Sequence, residues 1–128
     1  MTWHSVQIIG NLGKPPEMKY TPSGQAVTSF SVAASRSYKK NEEWIKETVW
    51  FRCEAWGKLA ENCIQYLDKG SKVLIVGRLK PDSATGGPRI YPKNDGSSGA
   101  SFEVVVNEIK FLDKKKEQGE AVEEDNPF

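Results

Sequence analysis

The sequence predicts an all-β domain: a five-stranded barrel with one short helix between its third and fourth strands, a long hairpin between the fourth and fifth, and an acidic tail. Three observations predict it. Apolar and polar residues alternate in five separate runs, the period of half-buried strands. A single run, after Gly57, switches to three- and four-residue spacing, the period of a helix. Beyond Leu112 the composition turns to Lys, Glu, Gln and Gly, which cannot bury a core. At 128 residues the chain supports one ordinary domain.

The first strand spans Trp3 to Leu12, with Val6, Ile8, Gly10 and Leu12 on its inner parity. Asn11-Leu12-Gly13-Lys14-Pro15-Pro16 breaks it, and Thr21-Pro22-Ser23-Gly24 places Pro and Gly where a hairpin turn needs them, bracketing a short strand near Met18 to Tyr20. From Ala26 to Ser35, Thr28, Phe30, Val32 and Ala34 face inward on a second long strand. The segment Tyr38-Lys39-Lys40-Asn41-Glu42-Glu43 is too polar for a core element and reads as a charged loop. The third strand, Thr48 to Trp56, sets Val49, Phe51, Cys53 and Ala55 against Trp50, Arg52, Glu54 and Trp56. Leu59, Ala60, Cys63, Ile64 and Leu67 then form a short amphipathic helix that Asp68-Lys69-Gly70 ends. Ser71 to Lys80 is the fourth strand, Pro81 to Ala100 a long mobile hairpin with Arg89-Ile90-Tyr91 as an ordered island, and Ser101 to Asp113 the fifth strand. Phe102, Val104 and Val106 face inward on it, and Phe30, Phe51, Phe102 and Phe111 are assigned to the core.

Five strands with a helix between the third and fourth is the element order of an OB-fold barrel. An open β-sandwich and an SH3-like barrel are the alternatives, and the helix position argues against both. The expected organisation is an OB domain over residues 1–112, a short linker over 113–122 and an acidic tip over 123–128.

Charge is divided along the chain. All 18 Lys and Arg precede position 119, whereas four of the 17 acids, Glu120, Glu123, Glu124 and Asp125, fall in the last nine residues, so residues 1–119 carry +5 and the tail −4. A cationic body suits a polyanion. No apolar run reaches the length of a membrane span, and the N-terminus lacks the charged and apolar regions of a leader, so an intracellular protein is expected. Cys53, Cys63 and the single His4 offer neither a disulfide framework nor zinc-ligand spacing, so both thiols are expected to be buried or inert. His4 reads as a strand residue without chemical consequence. No catalytic group, metal or cofactor is expected.

A binder of single-stranded nucleic acid needs aromatic platforms interleaved with cations on one surface. The candidates are Trp50, Arg52 and Trp56 on the third strand; Tyr38 with Arg36, Lys39 and Lys40 before it; Arg78 and Lys80 on the fourth strand; and Arg89 with Tyr91 on the hairpin. A Trp in a β protein is more often core or subunit interface. Trp50 and Trp56 escape that reading because their parity opposes an apolar row and Arg52 lies between them. Trp3 is left open between interface and platform, and Trp44, beside acidic Glu42 and Glu43, is set aside.

At Asn11-Leu12-Gly13, Tyr20-Thr21-Pro22-Ser23-Gly24, Glu47-Thr48-Val49-Trp50-Phe51-Arg52, Gly57-Lys58-Leu59-Ala60-Glu61 and Tyr66-Leu67-Asp68-Lys69-Gly70-Ser71, the chain resembles bacterial single-stranded DNA-binding proteins. The resemblance covers nearly all of residues 3–112 and resumes at the tip. It implies a non-enzymatic OB-fold subunit, assembled as a homotetramer, that binds single-stranded DNA without sequence preference in replication, recombination and repair, in the cytoplasm and associated with the nucleoid. The family's stacking positions fall on Tyr38, Trp50 and Trp56, with Tyr91 as the fourth. The resemblance also implies that the tip, Glu123, Glu124, Asp125, Asn126, Pro127 and Phe128, recruits genome-maintenance proteins, with Pro127 and Phe128 entering an apolar pocket. Two departures stand out. Pro81-Asp82-Ser83-Ala84-Thr85-Gly86-Gly87-Pro88 replaces the usual hairpin, and the ten-residue linker reaches at most about 35 Å when extended. An OB-fold RNA-binding or primosome-type module is the alternative function, since stacking does not exclude a 2′-hydroxyl.

Overall fold

The computed structural model describes residues 1–113; the acidic tip and the linker from residue 114 onward lie outside the described residues. Seven strands and one helix follow in the order β1 (Val6–Leu12), β2 (Glu17–Tyr20), β3 (Ala26–Lys40), β4 (Glu43–Trp56), α1 (Lys58–Tyr66), β5 (Lys72–Leu79), β6 (Arg89–Pro92) and β7 (Ser98–Phe111). Pairing runs β1–β5–β7–β4–β3, and β3 returns to β1, so five strands close into a ring. β2 adds to β3 and β6 to β7 outside that ring. The β4–β7 pairing is parallel and the others antiparallel. Closure with α1 between the third and fourth barrel strands is the OB fold, and it rules out an open sandwich.

The inward parities make one core. Ile8 and Leu12 of β1, Phe30 and Val32 of β3, Cys53 and Ala55 of β4, Val73 and Ile75 of β5, and Val104 and Val106 of β7 are buried together. Helix α1 adds Cys63, with Leu67 just beyond its end. Among the described residues Thr28 is the buried polar side chain, and its hydroxyl donates to the Ala60 carbonyl at 2.8 Å, tying β3 to the helix. Burial pushes the Cys53 thiol up to about 12, with neighbouring Cys63 adding to it, and pushes the Cys63 thiol up to about 11. Both are free, buried cysteines held as thiols, not nucleophiles.

Four expectations change. Tyr38 to Glu43 is not a loop: β3 and β4 stay in register to Lys40↔Glu43 and turn through Asn41 (φ 52°) and Glu42 (φ 69°), a two-residue connection with both φ positive. Exposure of both faces removes the apolar alternation, and cross-strand polar pairs hold the arm instead, Arg36 to Glu47 at 3.1 Å and Ser35 to Thr48 at 2.8 Å. Pro81–Ala100 is two units, a loop gathered on Asp82 and then the β6–β7 hairpin that contains the expected Arg89–Tyr91 island. The Asp82 carboxylate accepts backbone N–H groups from Ala84, Thr85 and Ile90. The first and then the last of these bonds do most to hold it below the usual carboxylate range.

Phe102 and Phe111 are not core. Phe102 is 46% exposed because β5 ends beside it and the chain leaves through Pro81; its ring touches Phe51, 6.0 Å between centroids. Phe111 packs on Tyr66 at the opposite end. Finally, β1 begins at Val6, so His4 precedes it, and His4 Nε2 accepts the Leu79 N–H at 2.9 Å.

Candidate nucleic-acid interface

Register decides which side chains share a face. On β4 the even positions point away from the core, and their β3 partners point with them: Trp56 opposite Val27, Glu54 opposite Ser29, Arg52 opposite Ser31 and Trp50 opposite Ala33. The small partner Ala33 leaves the Trp50 indole exposed, whereas Trp56 opposite Val27 is half-buried. Parallel pairing sets Arg52 beside Glu103, and antiparallel pairing continues the same outer face to Val105 and Arg78. The β6–β7 hairpin adds Arg89 opposite Ser101 and Tyr91 opposite Gly99. Trp50, Arg52, Trp56, Arg78, Lys80, Arg89 and Tyr91 are therefore on one continuous surface.

Two glycines act as seats for rings. A Cβ on Gly13 would meet Trp50 Cη2 and Cζ3 at 2.7 Å, so the far edge of the indole abuts bare backbone. The resulting cleft, about 280 Å³, is lined by Gly13, Lys14, Ser31 and Trp50. Trp50 is 53% exposed, which leaves ring surface open for stacking. Gly99 serves Tyr91 in the same way, a Cβ there lying 2.5 Å from the ring. The Arg89 guanidinium covers that ring at 5.2 Å from its centroid.

The cations are not bare. Glu103, whose side chain is 13% exposed, sits 3.7 Å from both Arg52 and Arg89, and Lys80 Nζ lies 3.1 Å from Glu54. Glu54 shares its parity with Trp50 and Trp56 and was legible in the sequence; Glu103 becomes a member only through the β4–β7 register. The three cations are themselves about half exposed, which leaves them within reach of a phosphate. An arginine has five donors in a fork, and one carboxylate contact leaves the others available.

Tyr38 and Arg36 do not join this surface. Their parity is that of Val32 and Phe30, so on the arm they lie on the reverse side of the β3–β4 ribbon, with Ile45 and Glu47 opposite them. Arg36 covers Tyr38 at 4.9 Å from the ring centroid. Lys39 has the other parity and stays with the outer row. Trp3 is 83% exposed ahead of β1.

Among the described residues no group of three or more His, Cys, Asp or Glu is placed to hold a metal ion. No helix among them is long and apolar enough to cross a membrane.

A family model described as "Single-strand binding protein family" matches residues 3–112. A "Single-stranded DNA-binding protein" of Neisseria meningitidis is 36% identical over 118 residues, 91% of this chain and 64% of the relative, so the chain spans just under two thirds of that protein's length. "Single-stranded DNA-binding protein 1" of Chlorobaculum tepidum is 38% identical, again over 91% of this chain and over 68% of the relative. The crystal structure of a small single-stranded DNA-binding protein from Streptomyces coelicolor superposes with a TM-score of 0.71 at 25% identity, covering 87% of this chain and 95% of that one.

Proposed function

The chain belongs to the single-strand binding protein family, and from that premise we propose that it binds single-stranded DNA without sequence preference, on the outer face that carries Trp50, Arg52 and Trp56. One observation carries the reading. Trp50 and Trp56 flank an arginine on a single strand face, and register brings a second aromatic and cation pair, Tyr91 with Arg89, to the same surface. Each base stacked on an aromatic contributes roughly 1–3 kcal/mol and is tolerated whatever its identity, because every base has a π-face. Phosphates reach Arg52, Arg78, Lys80 and Arg89, adding affinity without sequence information.

The resemblance to bacterial relatives supports the wider reading: a non-enzymatic homotetramer acting in replication, recombination and repair, cytoplasmic and nucleoid-associated. In that reading residues 1–112 bind DNA, 113–122 link, and the tip from Glu123 to Phe128 recruits partner proteins. Tyr38 and Arg36 then take a later part of the wrapped strand, on the far side of the arm.

Titration with oligo-dT at fixed salt tests the function. Tryptophan fluorescence is quenched, and log affinity falls with log salt by about 0.7 for each phosphate neutralised. Absence of quenching together with a flat salt response would remove the proposal. Competition between poly-dT and poly-U separates DNA from RNA; equal or tighter RNA binding favours the RNA-module alternative.

A further inference from the structure

The outer row of β4 does not stop at Trp50. The same parity continues outward through Thr48 and Lys46 to Trp44, and Lys39 lies directly opposite Trp44 in register. Trp44 is 72% exposed. Among the described residues no ring or guanidinium covers its indole, and neither Lys39 nor Lys46 has a carboxylate within ion-pair distance. The acids beside Trp44 in sequence do not share its face: Glu43 is opposite Lys40 on the reverse parity, and Glu42 is in the turn. On the reverse side of the arm, by contrast, Arg36 already has Glu47 and the Tyr38 ring as partners.

We propose that Trp44, flanked by Lys39 and Lys46, is a further stacking position that carries the bound strand off the barrel and along the β3–β4 arm. This rests on the single-strand-binding reading and extends it. A bare indole between two unpaired ammonium groups matches a base between two phosphates, and the row is continuous with the surface already described. A subunit interface is the poorer fit, because lysines are depleted from interface cores. At about 3.3 Å per residue, Trp44 lies about 20 Å from Trp50, and Trp50 about 20 Å from Trp56. The added platform therefore matters only to strands long enough to pass Trp50, and the right-handed twist of the ribbon turns that path around the arm.

The test uses the full chain with oligo-dT of about 6 and about 16 nucleotides, within the range one OB fold occupies. Trp44→Ala weakens binding of the longer strand by about 5- to 140-fold and leaves the shorter one unchanged. Trp44→Phe restores most of the loss, and Lys39→Gln with Lys46→Gln lowers the salt slope by about 1.4 on the longer strand. Full affinity of Trp44→Ala for the longer strand overturns the inference, as does an equal loss at both lengths or a changed mass by light scattering. Trp50→Ala separates the two levels. If it weakens binding while Trp44→Ala does not, only the extended path fails; if neither variant changes binding, the function reading itself fails.

Discussion

Replacing Gly13 with alanine should disable the Trp50 platform without touching Trp50. An ideal Cβ at position 13 stands 2.7 Å from Trp50 Cη2 and Cζ3, whereas carbon atoms rest at about 3.5–4.0 Å. The edge of the indole must retreat by roughly 1 Å. Those atoms are at the free end of an exposed side chain, so the displacement costs about 0.5–1.5 kcal/mol of rotamer strain, offset by the roughly 0.4–1 kcal/mol that a Gly→Ala change gains through the unfolded chain. Stability in urea therefore stays within about 1 kcal/mol of the parent. Affinity for oligo-dT falls by up to the roughly 1–3 kcal/mol of one stacked base, read as anisotropy of a labelled strand. The decisive comparison is a double-mutant cycle: in a Trp50→Ala background, Gly13→Ala should cost nothing further. The same loss in both backgrounds would refute the seat-and-platform argument.

Glu42→Gly should raise stability by about 1 kcal/mol, because a β-carbon at φ 69° is penalised and glycine suits this two-residue turn; an unchanged urea midpoint would show the turn is unstrained. Thr28→Val keeps the shape and removes the hydroxyl's bond to the Ala60 carbonyl, which retains its helical donor, so the cost is about 0.5–1.5 kcal/mol, measured by thermal unfolding. Burial keeps both thiols protonated in the folded state while the unfolded chain ionises near its ordinary value of 9.0. Unfolding then releases protons, so stability is full below pH 9 and falls as pH rises toward about 11 and about 12. A Cys53→Ala, Cys63→Ala chain, compared across the same pH range, should lose that component of the decline.

The barrel was legible wherever one face met the core. Val6, Ile8 and Leu12, or Val73 and Ile75, announce strands by alternation alone, and Leu59 to Leu67 announces the helix by its change of period. The arm was not legible, because Arg36, Lys39, Trp44 and Glu47 are solvated on both sides and their order is set by cross-strand pairing, which hydropathy does not record. Trp50, Arg52 and Trp56 could be assembled from parity within one strand. Glu103 could not, since its place beside Arg52 comes from pairing between β4 and β7, distant in sequence. Phe102 misled for a related reason: its parity is inward, but the barrel has ended around it.

The ring closes through a short joint. β1 and β3 share the register pairs Asn11↔Ala33 and Leu12↔Val32, with Gly13 N–H reaching Ser31 carbonyl at 3.1 Å, whereas the β3–β4 pairing runs unbroken from Val27 to Lys40. Trp50 lies over this joint, opposite Ala33 and against Gly13. Local opening of a protein concentrates where few hydrogen bonds must break, and a ligand that binds only the closed form adds RT ln(1 + [L]/Kd) to its stability. If the proposed stacking on Trp50 holds, a base there would act as a latch across the seam of the barrel, so that holding the strand and keeping the ring shut would draw on the same free energy.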